Sequence, residues 1–110
     1  MTHIYVMQFE ELSGFTKRVL RVLDDESYTA LQIALFCNPE LGKLIQHSGG
    51  LRKVRWALPG KGKSGGARVI YYFWEREQDR ITFCDIYPKN EKENLTQSEI
   101  QSLKKQIEST

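Results

Sequence analysis

The sequence has little of what marks secreted, zinc-binding or membrane proteins: two cysteines, two histidines and no long apolar run among 110 residues. Cys37 and Cys84 lie 47 residues apart and do not form the framework of paired cysteines of small secreted domains. Four Cys and His side chains without paired spacing exclude a structural zinc site, which needs four close ligands. No run approaches the roughly 20 apolar residues that cross a bilayer, and the amino terminus lacks signal-peptide features. We therefore expect a protein of the reducing cytoplasm.

The length fits one domain, which we assign to residues 1–110. Hydrophobic residues make up 40% and charged residues 27% of the chain, which is a globular composition rather than a disordered one. A domain of this size can bury a core without covalent cross-links. No repeat or low-complexity segment divides the chain.

The basic charge is concentrated in residues 50–76, although the net charge of the whole chain is only +2. This segment holds seven basic residues and one acidic residue, a net of +6, whereas the segments before and after it each carry −2. A local positive field of this kind suits nucleic acid or an acidic partner protein. The alternative is a solvated basic hairpin without a ligand.

The hydrophobic pattern predicts the order β-α-α-β-β-β-α, an α+β domain with an antiparallel sheet and helices packed on one face. We predict strands over residues 4–9, 51–58, 67–75 and 80–87, and helices over 15–23 and from 24 or 25 to about 37, with one more helical turn over 41–45. Thr96 and Glu99 form a capping box that starts the last helix, with Leu95 and Ile100 at the hydrophobic staple positions. Small core positions are predicted for both cysteines and surface positions for both histidines.

Several catalytic motifs are excluded by their missing parts. Residues 57–64, ALPGKGKS, resemble a phosphate-binding P-loop, but Ala57 replaces a required glycine and no helix pattern follows Ser64. Neither a carboxylate cluster for magnesium nor a Ser-His-Asp arrangement is present. An enzyme with this sequence is therefore expected to work without a metal, a cofactor or a histidine base.

Two basic clusters remain, at residues 51–56 (LRKVRW) and 87–92 (YPKNEK). Alternation along a strand places Lys53 and Arg55 on one face. Arg68 begins the central strand, and in an antiparallel meander both Arg55 and Lys89 can approach it. The pattern predicts several cations around one pocket.

Three sequence blocks, GGLRKVRW, KGKSGGARVIYYF and IYPKNEKENLT, occur in this order over residues 49–95. Together they resemble the RelE/ParE toxin superfamily, particularly its HigB-like members, and the element order is similar over most of the chain. The resemblance implies a RelE-like fold and a cytoplasmic toxin that enters the ribosome and cleaves mRNA. The resemblance also implies metal-independent cleavage, in which the ribose 2′-OH attacks the adjacent phosphate. The implied partners are the ribosome, mRNA and a cognate helix-turn-helix antitoxin, with operator DNA bound only through the antitoxin and no membrane.

The resemblance also assigns roles to residues. Arg68 would stabilise the phosphorane because its guanidinium can hold two phosphate oxygens. Lys53 and Arg55 would bind phosphate and stabilise the leaving group. A lysine crowded by cations has a lowered pKa and can act as a base, which makes Lys89 and Lys92 candidates. Further candidates for RNA binding are Arg52, Lys61, Lys63 and Tyr87.

Several assignments stay open at this stage. Tyr87 could stack on a base or belong to the core, and Lys61 and Lys63 could be solvated loop charges or contacts to ribosomal RNA. Asn90 stands where the RelE branch tends to have arginine, and Leu95 or Thr96 where it has a catalytic tyrosine, so the base is not identified.

Two other functions fit the same fold. One is a ParE-like inhibitor of gyrase, a branch that tends to lack these basic residues. The other is a catalytically inactive module that only binds the antitoxin.

Overall fold

A computed structural model of the protein describes residues 7–58, 65–77 and 79–110. It confirms the predicted α+β class, with helices and strands in the expected order and one additional short strand. In chain order the elements are β1 (Gln8–Glu11), α1 (Ser13–Val22), α2 (Asp25–Cys37), β2 (Lys43–Leu44), β3 (Leu51–Trp56), β4 (Ala67–Phe73), β5 (Arg80–Pro88) and α3 (Gln97–Glu108).

The strands form one sheet in the order β1-β5-β4-β3-β2. Strands β2, β3, β4 and β5 pair antiparallel with one another, whereas β1 pairs parallel with β5. The register places Arg55 opposite Arg68 and Arg68 opposite Tyr87. The predicted meander is therefore present, and it sets the basic residues of β3 and β4 side by side. The first predicted strand, over residues 4–9, lies partly outside the described residues.

The helices cover both faces of the sheet, which corrects the prediction that they pack on one face. The first face, under α1 and α2, carries Phe15, Leu31, Leu35, Val69 and Phe83 among its buried residues. The second face, under α3, carries Leu51, Ile70, Tyr87, Ile100 and Leu103. Successive residues of β4 point to opposite faces, and apart from Arg68 both sets are hydrophobic or aromatic, so each face needs a helix to exclude water.

Local sequence signals fix the starts of two helices. The side chain of Asp24 accepts a hydrogen bond of 2.7 Å from the Ser27 amide at the start of α2. The predicted capping box of α3 is confirmed, with Thr96 and Glu99 exchanging hydrogen bonds of 2.9 and 3.1 Å. Leu95 packs into the core under α3, and this holds the segment before the helix against the sheet.

The helical turn predicted over residues 41–45 is wrong, because the chain forms the edge strand β2 there. Gly42 passes so close to the sheet that a Cβ would lie 2.8 Å from the Tyr71 ring, and its amide donates to the Tyr71 hydroxyl at 2.8 Å. That contact holds the chain in an extended path along β3.

The two cysteines differ in burial. Cys84 is buried as predicted, whereas Cys37 is exposed at the end of α2 and is not a core residue. His47 is exposed as predicted, and His3 lies outside the described residues. Among the helices of the described ranges, none combines the length and apolarity needed to span a membrane.

Candidate functional site

Three basic side chains meet on the sheet face that carries α3. Lys53 and Arg55 come from alternate positions of β3, and Arg68 comes from the start of β4. The register pairs Arg55 with Arg68 and Lys53 with Ile70, and Ile70 belongs to the core under α3. We call Lys53, Arg55 and Arg68 the cationic cluster. The convergence expected from strand alternation is present for these three residues.

Glu93 lies at the centre of the cationic cluster, in the connection between β5 and α3 (residues 89–96). Nη2 of Arg68 donates to both carboxylate oxygens of Glu93, at 3.3 and 3.2 Å. Nη2 of Arg55 lies 3.5 Å from one of these oxygens. One carboxylate is therefore shared by two arginines, and sequence reasoning did not identify it.

The two arginines differ in their access to solvent. The Arg68 side chain is only 2% exposed, and its Nε has no hydrogen-bond partner among the described residues. The Arg55 side chain is 72% exposed. An anion from solvent would therefore meet Arg55 first and Arg68 at the base of the site. Since an arginine has five N–H donors, Arg68 has more donor capacity than Glu93 uses.

Lys53 is the lysine of the cationic cluster, and its Nζ donates a hydrogen bond of 2.6 Å to Oδ1 of Asn94. Partial burial lowers the pKa of Lys53, Glu93 opposes that effect, and the nearby charges of Arg55 and Arg68 add to it. A lysine with a lowered pKa releases its proton more readily than a free lysine. Lys53 is thus suited to donate a proton within this site.

Opposing effects act on the ionisation of Glu93. Partial burial favours its neutral form, but the hydrogen bond from Arg68 and the charges of Arg68, Arg55 and Lys53 outweigh it. The net result lowers the pKa of Glu93 below its ordinary value, so the carboxylate is ionised at neutral pH.

A cavity of about 240 Å³ lies beside the cationic cluster, between the start of α3 and the sheet. Its lining includes Lys53, Tyr87, Asn94 and Leu95. Within the described ranges there is no group of three or more His, Cys, Asp or Glu side chains arranged to hold a metal. The side chains that converge here are instead suited to an anion such as a phosphate.

Arg52 and Tyr87, two of the residues predicted to bind RNA, are both buried in the structure. Arg52 pairs with Tyr71 on the other face of β3, where its Nη1 donates to the Gly42 carbonyl at 2.8 Å. Its guanidinium also lies 3.8 Å from Glu75. Arg52 is buried, and these contacts give it a structural role. Tyr87 is 1% exposed and belongs to the core under α3, which favours the core position over the base-stacking role that the sequence left open.

The remaining lysines lie around the site. Lys92 pairs with Glu99 at 2.5 Å, and its Nζ lies 5.0 Å from the centre of the Tyr87 ring. The charge of Lys92 is therefore used in an ion pair with the first turn of α3. Lys89 donates its backbone amide to the Gly66 carbonyl at 2.9 Å, which ties the end of β5 to the start of β4. Lys61 and Lys63 lie outside the described residues.

Residues 37–110 match the family model described as the RelE toxin of the RelE/RelB toxin–antitoxin system. The fold is similar to the solved structure of the E. coli toxin RelE in the free state, a mutant in which two arginines are replaced by alanine. The TM-score is 0.57 at 13% sequence identity, and the match covers 93% of this chain and 97% of that chain. The matched region of the family model includes the whole cationic cluster.

Proposed function

Because the chain belongs to the RelE family of toxins from toxin–antitoxin systems, we propose that it is a ribosome-dependent mRNA endonuclease of the HigB-like branch. Family membership implies a cognate antitoxin. In this proposal residues 1–110 form a single toxin domain that acts in the cytoplasm. The antitoxin carries a helix-turn-helix domain and is the route by which the complex reaches operator DNA.

The proposed reaction uses the message itself as the nucleophile. The 2′-oxygen of one ribose forms a bond to the adjacent phosphorus, and the bond from that phosphorus to the 5′-oxygen of the next nucleotide breaks. One proton leaves the 2′-OH and one proton reaches the 5′-oxygen. The products are a 2′,3′-cyclic phosphate and a 5′-hydroxyl, without water or a metal in the step.

The single observation that carries the proposal is the convergence of Lys53, Arg55 and Arg68 on one face of the sheet. Transfer at a phosphodiester passes through a phosphorane with extra negative charge, and fixed donors aimed at that charge accelerate the reaction. Arg68 is held at the base of the site by burial, so it needs no reorganisation to meet the phosphorane. Arg55 binds the same phosphate from the solvent side.

Lys53 is the proposed proton donor to the leaving 5′-oxygen. Its pKa is lowered mainly by burial, and a donor with a lowered pKa transfers its proton more easily to an alkoxide. The hydrogen bond to Asn94 holds its Nζ on the side of the β5–α3 connection. Lys89 and Lys92 lie within this connection. We assign Lys89 as a contact to the RNA backbone, whereas Lys92 remains paired with Glu99.

The test is cleavage of a defined message by the purified protein with programmed ribosomes. We expect cuts within the ribosomal A site, mapped by primer extension, and a cyclic phosphate on the upstream fragment. Intact message at one toxin per ribosome would contradict the proposal.

A parallel reaction with gyrase and supercoiled DNA addresses the ParE-like alternative. Trapped, cleaved DNA together with intact message would replace the nuclease by a gyrase inhibitor. Neither activity, together with tight binding to the antitoxin, would indicate an inactive binding module.

A further inference from the structure

A carboxylate occupies the centre of a site that is proposed to bind phosphate, and this arrangement has two opposite functional meanings. Glu93 could block the cationic cluster until substrate displaces it, or it could take part in the reaction. We propose that Glu93 is the general base that accepts the proton from the attacking 2′-OH, an inference that rests on the proposed function above.

The contacts that Glu93 makes with the two arginines are long for ion pairs. Hydrogen bonds between guanidinium and carboxylate are typically about 2.7–2.9 Å long. The contacts of Glu93 measure 3.2 and 3.3 Å to Arg68 and 3.5 Å to Arg55. They are long, and the side chain of Glu93 is 43% exposed. A phosphate can therefore take over the two arginines while the carboxylate swings a short distance and stays beside it.

The backbone of Glu93 is held in place, whereas its side chain makes only long contacts. The Tyr87 hydroxyl donates to the Glu93 carbonyl at 3.4 Å, and Lys53 donates to the neighbouring Asn94 side chain at 2.6 Å. The capping box at Thr96 fixes the chain shortly afterwards. A displaced carboxylate thus stays within the site, near the ribose on one side of the bound phosphate.

The charges around Glu93 also suit it to act as a base. In the free protein Glu93 faces Lys53 and Arg55 on β3, Arg68 on β4 and the Tyr87 hydroxyl on β5, with Lys43 on β2 further out beside Lys53. These cations keep it ionised, as a base must be before the reaction. When a phosphate neutralises the arginines and adds a negative charge nearby, the proton affinity of the carboxylate rises. The carboxylate is therefore strengthened as a base only when substrate is bound.

The proposed step balances as follows. Glu93 takes the proton of the 2′-OH as the 2′-oxygen bonds to phosphorus, and Lys53 gives a proton to the 5′-oxygen as its bond to phosphorus breaks. The step ends with a neutral carboxylic acid and a neutral amine. Proton exchange with solvent restores both groups for the next cycle.

The test compares Glu93→Gln with Glu91→Gln in single-turnover cleavage on programmed ribosomes. Glu91 lies in the same connection, is exposed, and is not assigned to the site, so its variant controls for loss of one negative charge. We expect Glu93→Gln to slow cleavage at least 100-fold, with ribosome binding equal to or tighter than that of the wild type. Glu91→Gln should cleave at the wild-type rate.

If Glu93 only blocked the phosphate site, Glu93→Gln would change the cleavage rate in the opposite direction from that expected for loss of a base. Removing a carboxylate that blocks the phosphate site would strengthen binding and preserve or raise the cleavage rate. Cleavage by Glu93→Gln within about threefold of the wild-type rate would therefore overturn the proposal. Thermal unfolding of the same samples checks that any loss of cleavage occurs in folded protein.

A message with a bridging sulfur in place of the scissile 5′-oxygen separates the base from the proton donor. A thiolate leaves without protonation, because thiol pKa values lie near 8.5. We expect Glu93→Gln to stay at least 100-fold slower than wild type on this substrate, since the 2′-OH still needs a base. Recovery to the wild-type rate would place Glu93 at the leaving group and overturn the assignment.

The wild-type reaction distinguishes a failure of the proposed function from a failure of the role assigned to Glu93. If wild-type protein leaves the message intact, the proposed function fails. If wild-type protein cleaves and Glu93→Gln cleaves equally well, only the assignment of Glu93 fails.

Discussion

Two arginine–glutamate pairs of this fold differ in how completely they are satisfied. At the junction of β1 and β5, Arg80 donates to both oxygens of Glu10 at 2.8 and 2.9 Å from two nitrogens, and its guanidinium lies 4.0 Å from the Trp74 ring. In the cationic cluster, one nitrogen of Arg68 serves both oxygens of Glu93 at 3.2 and 3.3 Å.

The Arg80–Glu10 pair holds the sheet together, whereas the Arg68–Glu93 pair can exchange its carboxylate for another anion. Arg80 and Glu10 form the two-pronged geometry that gives the strongest pairs, and they connect strands that are distant in sequence. Within the part of the chain that the structure describes, Arg68 keeps an Nε without a hydrogen-bond partner, and it shares Glu93 with Arg55. A pair with spare donors and an exposed carboxylate is suited to release that carboxylate to a phosphate.

The largest expected effect is that of Arg68→Ala on catalysis. Removing a buried guanidinium that meets the phosphorane should lower the single-turnover cleavage rate by about 100- to 1000-fold. The fold should persist because the Glu93 carboxylate can be solvated when its partner is lost. Cleavage on ribosomes and circular dichroism of the same sample measure both effects.

Arg76→Ala is the matched control, since Arg76 is exposed in the turn between β4 and β5. It removes the same charge from the same basic segment and should leave cleavage unchanged. Equal losses in the two variants would mean that overall charge, and not the position of Arg68, determines activity.

A smaller effect on catalysis is expected for Arg55→Ala. The side chain is 72% exposed, so its contact with phosphate is screened by water, and we expect about a tenfold loss of cleavage. Stability should not change. A salt titration of ribosome binding should show a shallower slope than the wild type, and an unchanged slope would indicate that Arg55 does not touch the RNA.

The ion pair between Arg80 and Glu10 should affect the stability of the protein and not its catalysis. Glu10→Gln should lower the free energy of unfolding by about 1 kcal/mol at pH 7, measured by urea unfolding. The hydrogen bond from Arg80 lowers the pKa of Glu10 below its ordinary 4.5, with burial opposing and the Arg80 charge reinforcing the effect. The stability difference between wild type and Glu10→Gln is thus complete above pH 4.5. It disappears as the pH falls through the lowered pKa of Glu10. A difference that persists in acid would show that the pair acts through packing.

Local signals in the sequence predicted much of the fold, and pairings between distant segments account for what was missed. Asp24 and the Thr96–Glu99 box start helices through neighbours three residues away, so they can be read from the sequence. The parallel pairing of β1 with β5 joins residues about 70 positions apart and leaves no local pattern. The apolar residues on both sides of β4 already indicated a sheet that is covered on both faces.

The candidate site divides in the same way. Strand alternation placed Lys53 and Arg55 together, and the same alternation assigns Arg52 to the opposite face. Glu93 lies in an irregular connection without a period, and its position depends on the tether from Tyr87. An acidic residue directly before Asn94 and close to two lysines looked like ordinary surface charge in the sequence.

The central claim is that the cationic cluster holds a phosphodiester while the neighbouring 2′-OH attacks it. A message with a single 2′-deoxy nucleotide on the 5′ side of the mapped cut tests this most directly, with the unmodified message as control. We predict that wild-type protein binds both ribosome complexes equally and leaves the deoxy position uncut. Cleavage at the deoxy position at the normal rate would contradict attack by the 2′-OH and the roles assigned to Lys53, Arg55, Arg68 and Glu93.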